Sequence, residues 1–460
     1  MISFHCIAGR GAASGVSINV KSRSAQCIKS RITAGRWRIQ FLAPPLAECE
    51  LWSENIAMDR PPIVYLDTQD FSRFGDVLRG KSDTATETLF LEVERRSKAG
   101  DAIFPASMPI IGELLQYNAD YRDTTICKAQ AVERLCGHWG LAFPSRLIAA
   151  ELLTVARQRQ LMPDGPPPEI LSSDRYWYPN ISGALNGLRS RLQGEVESAV
   201  SNLQLSNRYE RRRAKRLVKH IDPSSAIRAA APEFAANFGL PVETVINSVV
   251  ALVRGRITAT EASRRLFGEI AKPVTFVEAY FEKVEVDRSA LPGWMRLFGD
   301  NFERRFLDLR TQTLPILDNE DGRAALEQLL TELPKTLGPS ILGMADEDDL
   351  AEFGLTTSIV DSLRVIEGIE NQVAASDIVG NVIPAYARQV LGLRGNPARV
   401  ERSFGGDLVH ALYLPHVDLW RGDRRFAEVV TQAVPHYAPK IVPRLAALPA
   451  AIDAWLRAAD

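Results

Sequence analysis

Asp67, Glu113, Asp407 and Asp423 are the side chains with which this sequence could do chemistry. Asp67 closes the apolar run Ile63-Val64-Tyr65-Leu66, and Glu113 follows about one helix later, whereas Asp407 and Asp423 lie close to the C-terminus. Carboxylates at strand ends and helix starts are what a hard divalent cation requires. Brought together without a cation, they repel one another and resist ionisation. Mg2+ or Mn2+ would neutralise them and leave positions open for water and a phosphate oxygen. If the fold joins the two ends, the chain is a metal-dependent hydrolase interrupted by a long insertion. No Ser-His-Asp or Cys-His pattern and no glycine-rich phosphate loop competes.

The elements around each acid set its position. Pro61-Pro62 precede Ile63–Leu66, which reads as a short buried strand with Asp67 at its carboxyl end, where ligand crevices of open α/β sheets lie. Ala102-Ile103-Phe104-Pro105 reads as a second strand, with Ser107 as N-cap of a helix whose face is Ile110, Ile111, Leu114 and Leu115. Glu113 sits inside that helix. The stretch Leu141 to Ser145, followed by Glu151, repeats the pattern and makes Glu151 the rival for second acid. The spacing of Glu113 from Asp67 suits one strand–helix–strand unit and favours Glu113. Ser403-Phe404-Gly405-Gly406 leads into a helix beginning near Asp407, with His410 one turn on. His410 reads as a packing residue or a support for a ligand, not as a ligand itself. Val417 to Trp420 reads as a strand and Arg421-Gly422-Asp423 as a turn, and Asp423 is also a ready N-cap for the following helix. Asp418 is either an auxiliary ligand or a surface acid. Lys440-Ile441-Val442 reads as a final strand before a terminal helix.

The stretches IVYLDTQDFSR, AIFPASMPIIGELL and GGDLVHALYLPHVDLWRGDRRFAEVV, in this order, resemble the PIN domain family of nucleases. The resemblance covers residues 61 to 120 and 400 to 460. It implies an α/β fold: a three-layer α/β/α domain with a central parallel sheet, split by a mostly helical insert. It also implies a ribonuclease that uses Mg2+ or Mn2+ and hydrolyses phosphodiester bonds to leave a 5′-phosphate and a 3′-hydroxyl. Asp67, Glu113, Asp407 and Asp423 would then be both the catalytic and the metal-binding acids, with Asp418 as the auxiliary candidate. Two positions depart from the family pattern. Gln69 stands where Asn is usual, and Arg421 where a small hydroxyl residue is common. These departures support a second reading, a catalytically weak scaffold whose insert binds a protein or nucleic-acid partner. A phosphatase of the haloacid dehalogenase type would need a second Asp two residues after Asp67, where Gln69 stands.

Composition bounds the rest. With 460 residues, 46% apolar and 24% charged, the chain has the make-up of a globular protein of two or three domains. A formal charge of -1 confines any nucleic-acid site to a local patch. Residues 1–57, with seven Lys/Arg and three Asp/Glu, read as a disordered or mis-assigned extension, a transit-type leader being the alternative. Residues 58–120 and 395–460 would form the two halves of the PIN-like domain, and 121–394 a helical insertion subdomain. Within it Arg208, Arg211, Lys215 and Lys219 fall on one helical stripe with Arg212 beside them, a candidate surface for RNA phosphates or simply a solvated face. Tyr176-Trp177-Tyr178 reads as core or as a base-stacking platform. The five cysteines form no CxxC pair, and no apolar run reaches the roughly 20 residues of a membrane span. The expectation is a cytoplasmic protein with RNA as its partner and no membrane contact. A protein partner or a second copy of the chain stays open.

Overall fold

The computed structural model describes residues 60–114, 121–174, 177–190, 194, 224–238, 240–268, 271–283, 291–366, 368–369, 372–393 and 395–459. The described residues, from Arg60 onward, cluster as one compact unit. The basic stripe Arg208, Arg211, Arg212, Lys215 and Lys219, and Tyr176, lie outside the described residues.

The expected three-layer α/β/α domain with a central parallel sheet is not what forms. The described residues are 70% helical and 4% strand. The strands Val64–Tyr65 and Leu419–Trp420 pair in parallel, and Gly140–Leu141 pairs with Leu171–Ser172 in antiparallel fashion. The other predicted strands contribute single parallel bridges: Ile63 to Ile103, Ala106 to Gly140 and Trp420 to Ile441. The sequence carries the physical reason. Proline donates no ladder hydrogen bond, and Pro61, Pro62, Pro105, Pro144 and Pro443 bracket these extended segments. They pair through only a few inter-strand bonds, such as Val64 N to Ile103 O at 2.8 Å and Val442 N to Trp420 O at 2.9 Å, before the chain turns into helix.

Helices therefore do the positioning. Thr68–Leu78 starts at Asp67, whose extended backbone and side chain cap it. It packs on Arg122–Cys136, while Met108–Leu114 carries Glu113 with Ile110, Ile111 and Leu114 buried. Within residues 121–394, Val242–Val253, whose apolar residues recur at helical spacing, is a helix, and Glu320–Leu342 packs along Ala374–Val390. Trp177 and Tyr178 are buried, with Tyr178 stacked on Phe267 at 4.8 Å and Trp177 tilted against Phe276, so they belong to the core. Phe404–Ala411 and Arg424–Ala433 complete the C-terminal half around Phe404, which stacks on Tyr386 with centroids 3.8 Å apart. Among the described residues, no helix is long and apolar enough to cross a membrane.

Candidate metal centre

The single parallel pairing that joins the chain ends is what brings the acids together. Arg421 N donates to Tyr65 O at 2.9 Å, setting Leu419–Trp420 beside Val64–Tyr65. A clamp reinforces it: Arg60 Nη1 lies 2.7 Å from Asp418 Oδ2, and Ile63 N donates to the same oxygen at 2.7 Å. Asp418, the auxiliary candidate, is thus occupied in holding the strand pair together. It is a structural acid.

Asp67 Oδ1 accepts from Thr68 N at 2.7 Å, which fixes the carboxylate at the helix start. Glu113 comes in from Met108–Leu114, and His410 from the last turn of Phe404–Ala411. One ligand atom from each of Asp67, Glu113 and His410 lies within 4.8 Å of the other two. His410 Nε2 faces Glu113 Oε1 at 3.4 Å and Asp67 Oδ1 at 3.9 Å. It makes no well-aligned hydrogen bond to either, although it is fully buried. Asp67 and His410 are 6% and 2% exposed, whereas the Glu113 side chain retains 23%, so the cluster opens to solvent on the Glu113 side. Gly406 allows that approach: a Cβ there would sit 3.1 Å from Glu113 Oε1.

The electrostatics register the crowding. Burial, followed by the charges of Asp67 and Glu113, pushes Asp407 up to about 8, while His410 and the Ser403 hydroxyl pull the other way. Burial also raises Asp67, with Glu113 adding and His410 opposing. Burial works against a charged His410, yet Glu113 first, then Asp67 and Asp407, push it up to about 9. Burial raises Glu113 as well, but the facing His410 more than offsets it and leaves Glu113 below its ordinary value. Asp407 therefore lies in the field of the cluster, although it is outside the group of atoms at ligand distance.

Asp423 takes the role its sequence also allowed. Its Oδ1 accepts from Arg425 N at 2.9 Å and Phe426 N at 3.3 Å, capping Arg424–Ala433. It is not a member of the ligand-distance group. Glu151, the rival second acid, is fully buried elsewhere. It meets His416 Nε2 at 2.5 Å and accepts from Ala375 N at 2.9 Å, tying helix Pro144–Gln158 to two neighbours. Three of the four predicted acids thus share one field, and Glu113 is the second of them.

No protein-family model, curated protein or solved structure matches this chain.

Sequence reasoning gave too little weight to four side chains. His410 carries a signal in its one-turn spacing from Asp407. Asp70 lies three residues after Asp67 and is fully buried, with Arg421 Nη2 3.3 Å from its Oδ1. Burial pushes Asp70 up to about 7, with Arg421 opposing and Asp67 adding. Arg421 is therefore a buried countercharge. Its Nη1 also meets the Gly422 carbonyl, and Gly422 lies so close under the Trp420 ring that a Cβ would overlap it. Tyr65 has the subtlest part: its hydroxyl lies 2.6 Å from His410 Nδ1 and 3.0 Å from Ser107 Oγ. Nothing in a lone tyrosine of an apolar strand announces that.

The residues fit a divalent cation. A buried imidazole nitrogen without a well-aligned hydrogen bond and two carboxylates converge on one point, and burial, with their charge adding, keeps a third carboxylate from ionising. A bound cation relieves both conditions at once.

Proposed function

We propose that the chain is a divalent-metal-dependent nuclease, with RNA as its expected substrate and Asp67, Glu113 and Asp407 as its metal-site acids. The observation that carries this reading is the convergence of Asp67 and Glu113, from the N-terminal half, with the Asp407 and His410 turn of a helix 294 or more residues further along the chain. Such a convergence of like charges in a buried place costs stability and is the mark of a functional group of residues. Mg2+ or Mn2+ held there would activate water and stabilise charge on the leaving oxygen of a phosphodiester.

The residues of the chain supply the rest. Thr68 N donates to Asp67 Oδ1, the oxygen that also faces His410, and so holds the carboxylate toward the centre. The partly exposed Glu113 marks the side from which a substrate phosphate would enter. Asp423 stays with its helix cap, so the working set is three acids and not four. The resemblance to PIN nucleases lends support through the identity and order of these acids.

A second reading draws on the buried Asp70–Arg421 pair. A permanent guanidinium near Asp67 already offsets part of the charge a cation would neutralise, which favours a weak or inactive scaffold. The test uses the full chain with fluorescein-labelled RNA and DNA and added Mn2+, beside Asp67→Asn. Cleavage of RNA that is lost in the variant supports the nuclease. Equal cleavage by both proteins, or by neither across broad substrates, removes it, and in the latter case the scaffold stands.

A further inference from the structure

The geometry points to His410 as a metal ligand through Nε2, with Tyr65 as its positioning residue, in an Asp67–Glu113–His410 centre that prefers Mn2+, Co2+ or Zn2+ to Mg2+. The inference rests on the metal-binding part of the preceding reading and not on nuclease activity.

The argument starts from the imidazole. The ring is 2% exposed, and Nε2 has no well-aligned hydrogen-bond partner. A buried nitrogen left in this way needs a positive charge, a proton or a metal ion, between it and the facing carboxylates. The ring cannot turn to find another partner. Nδ1 is 2.6 Å from the Tyr65 hydroxyl, whose oxygen is in turn 3.0 Å from Ser107 Oγ. The backbone is pinned as well, since Trp420 Nε1 donates to His410 O at 3.2 Å.

With a cation in place of the Nε2 proton, one arrangement serves the whole chain of groups. Nδ1–H donates to the Tyr65 oxygen, the Tyr65 hydroxyl donates to Ser107 Oγ, and the Nε2 lone pair is directed at the cation between Glu113 and Asp67. A hydrogen bond from the non-ligating ring nitrogen to an outer partner is how ligating histidines are commonly oriented. Tyr65 itself is immobile, being fully buried and stacked on Tyr413 with centroids 5.4 Å apart.

Ligand chemistry then sets the metal. Mg2+ and Ca2+ prefer sites made wholly of oxygen, whereas imidazole suits Zn2+, Co2+ and related ions, and Mn2+ accepts both. One nitrogen and two carboxylates, with Asp407 close by to support a bound water, make a mixed site. A purely carboxylate quartet would lack this preference.

The experiment uses the full chain stripped of metal. Mn2+, Co2+ and Mg2+ are titrated calorimetrically, and pulsed electron paramagnetic resonance of the Mn2+ form reads coupling to a directly bound 14N. The same measurements are made on His410→Gln, which replaces nitrogen by an amide oxygen, and on Tyr65→Phe. We expect 14N coupling in the native protein and at least roughly tenfold tighter Co2+ than Mg2+ binding. His410→Gln should abolish the coupling and most of that preference while retaining Mg2+ binding. Tyr65→Phe should keep the coupling but weaken Co2+ by roughly 10- to 100-fold.

Absence of 14N coupling, or equal Co2+ and Mg2+ affinities unchanged in His410→Gln, overturns the assignment. If His410→Gln does not fold, the native spectrum and Tyr65→Phe still decide. Metal bound without 14N coupling by a protein that cleaves RNA would remove this inference and leave the nuclease. Coupling in a protein that cleaves nothing would do the reverse, and failure to bind any of the three ions removes both.

Discussion

Replacing Asp407 by asparagine keeps its shape and removes its titration, so stability can report whether it truly shares a field with Asp67 and Glu113. Its carboxyl ordinarily titrates near 3.8 and is pushed up to about 8 in the fold. A group that holds its proton more tightly when folded stabilises the folded state at low pH. That contribution is lost as pH rises toward the folded value. Between pH 6 and pH 8 the folded state keeps most of this proton while the unfolded chain has none. At about 1.4 kcal/mol per pH unit per proton, the metal-free native protein should lose about 2 kcal/mol across this range through Asp407. Asp407→Asn should not show that loss. In urea titrations with chelator, the variant should therefore gain about 2 kcal/mol on the native protein between pH 6 and pH 8. Mn2+ should then reverse the order at pH 8, since a ligand at 100 times its Kd adds about 2.7 kcal/mol and the variant has lost an acid whose charge supports the cation. Parallel pH profiles for the two proteins would refute the convergence, and with it the metal centre.

Other perturbations separate the structural acids from the functional ones. Asp418→Ala removes both the Arg60 ion pair and the Ile63 N acceptor, and should cost roughly 1–3 kcal/mol in urea melts with no intrinsic change in metal affinity by calorimetry. Arg421→Met leaves Asp70 buried and unpaired. The loss should reach roughly 3–5 kcal/mol at pH 8, shrink at pH 6 where Asp70 takes up a proton, and be largely recovered by adding Asp70→Asn, all read by denaturant melts. Gly422→Ala drives a methyl into the buried Trp420 ring, which cannot yield, and should cost at least roughly 1–3 kcal/mol and lower the thermal midpoint. Glu151→Gln should weaken the tie to His416 and reduce stability, while Mn2+ affinity measured by calorimetry stays at the native value.

Much of the local structure is dictated by the sequence alone. Val242–Val253 forms over the span its apolar spacing predicts, because a helix needs only its own residues and a buried face. Asp67 and Asp423 stand at helix starts because an acid before an apolar-periodic stretch satisfies free backbone N–H groups wherever the helix lies. The order of the acids along the chain is likewise plain in the sequence. The expectation of a central sheet failed for a reason that the sequence also contains, in the prolines that cut each extended segment short.

What the tertiary structure alone decides is distance. Glu113 and Glu151 have nearly the same local setting, yet one faces Asp67 and the other is sealed against His416. Asp418 and Asp407 are both acids near the C-terminus, yet one clamps Arg60 and the other is crowded by carboxylates. His410, Asp70, Arg421 and Tyr65 acquire their roles only when one short parallel strand pair brings the chain ends together. Propensity and periodicity act over a few residues. The forces between buried charges act over a few ångströms, and only the folded chain converts one scale into the other.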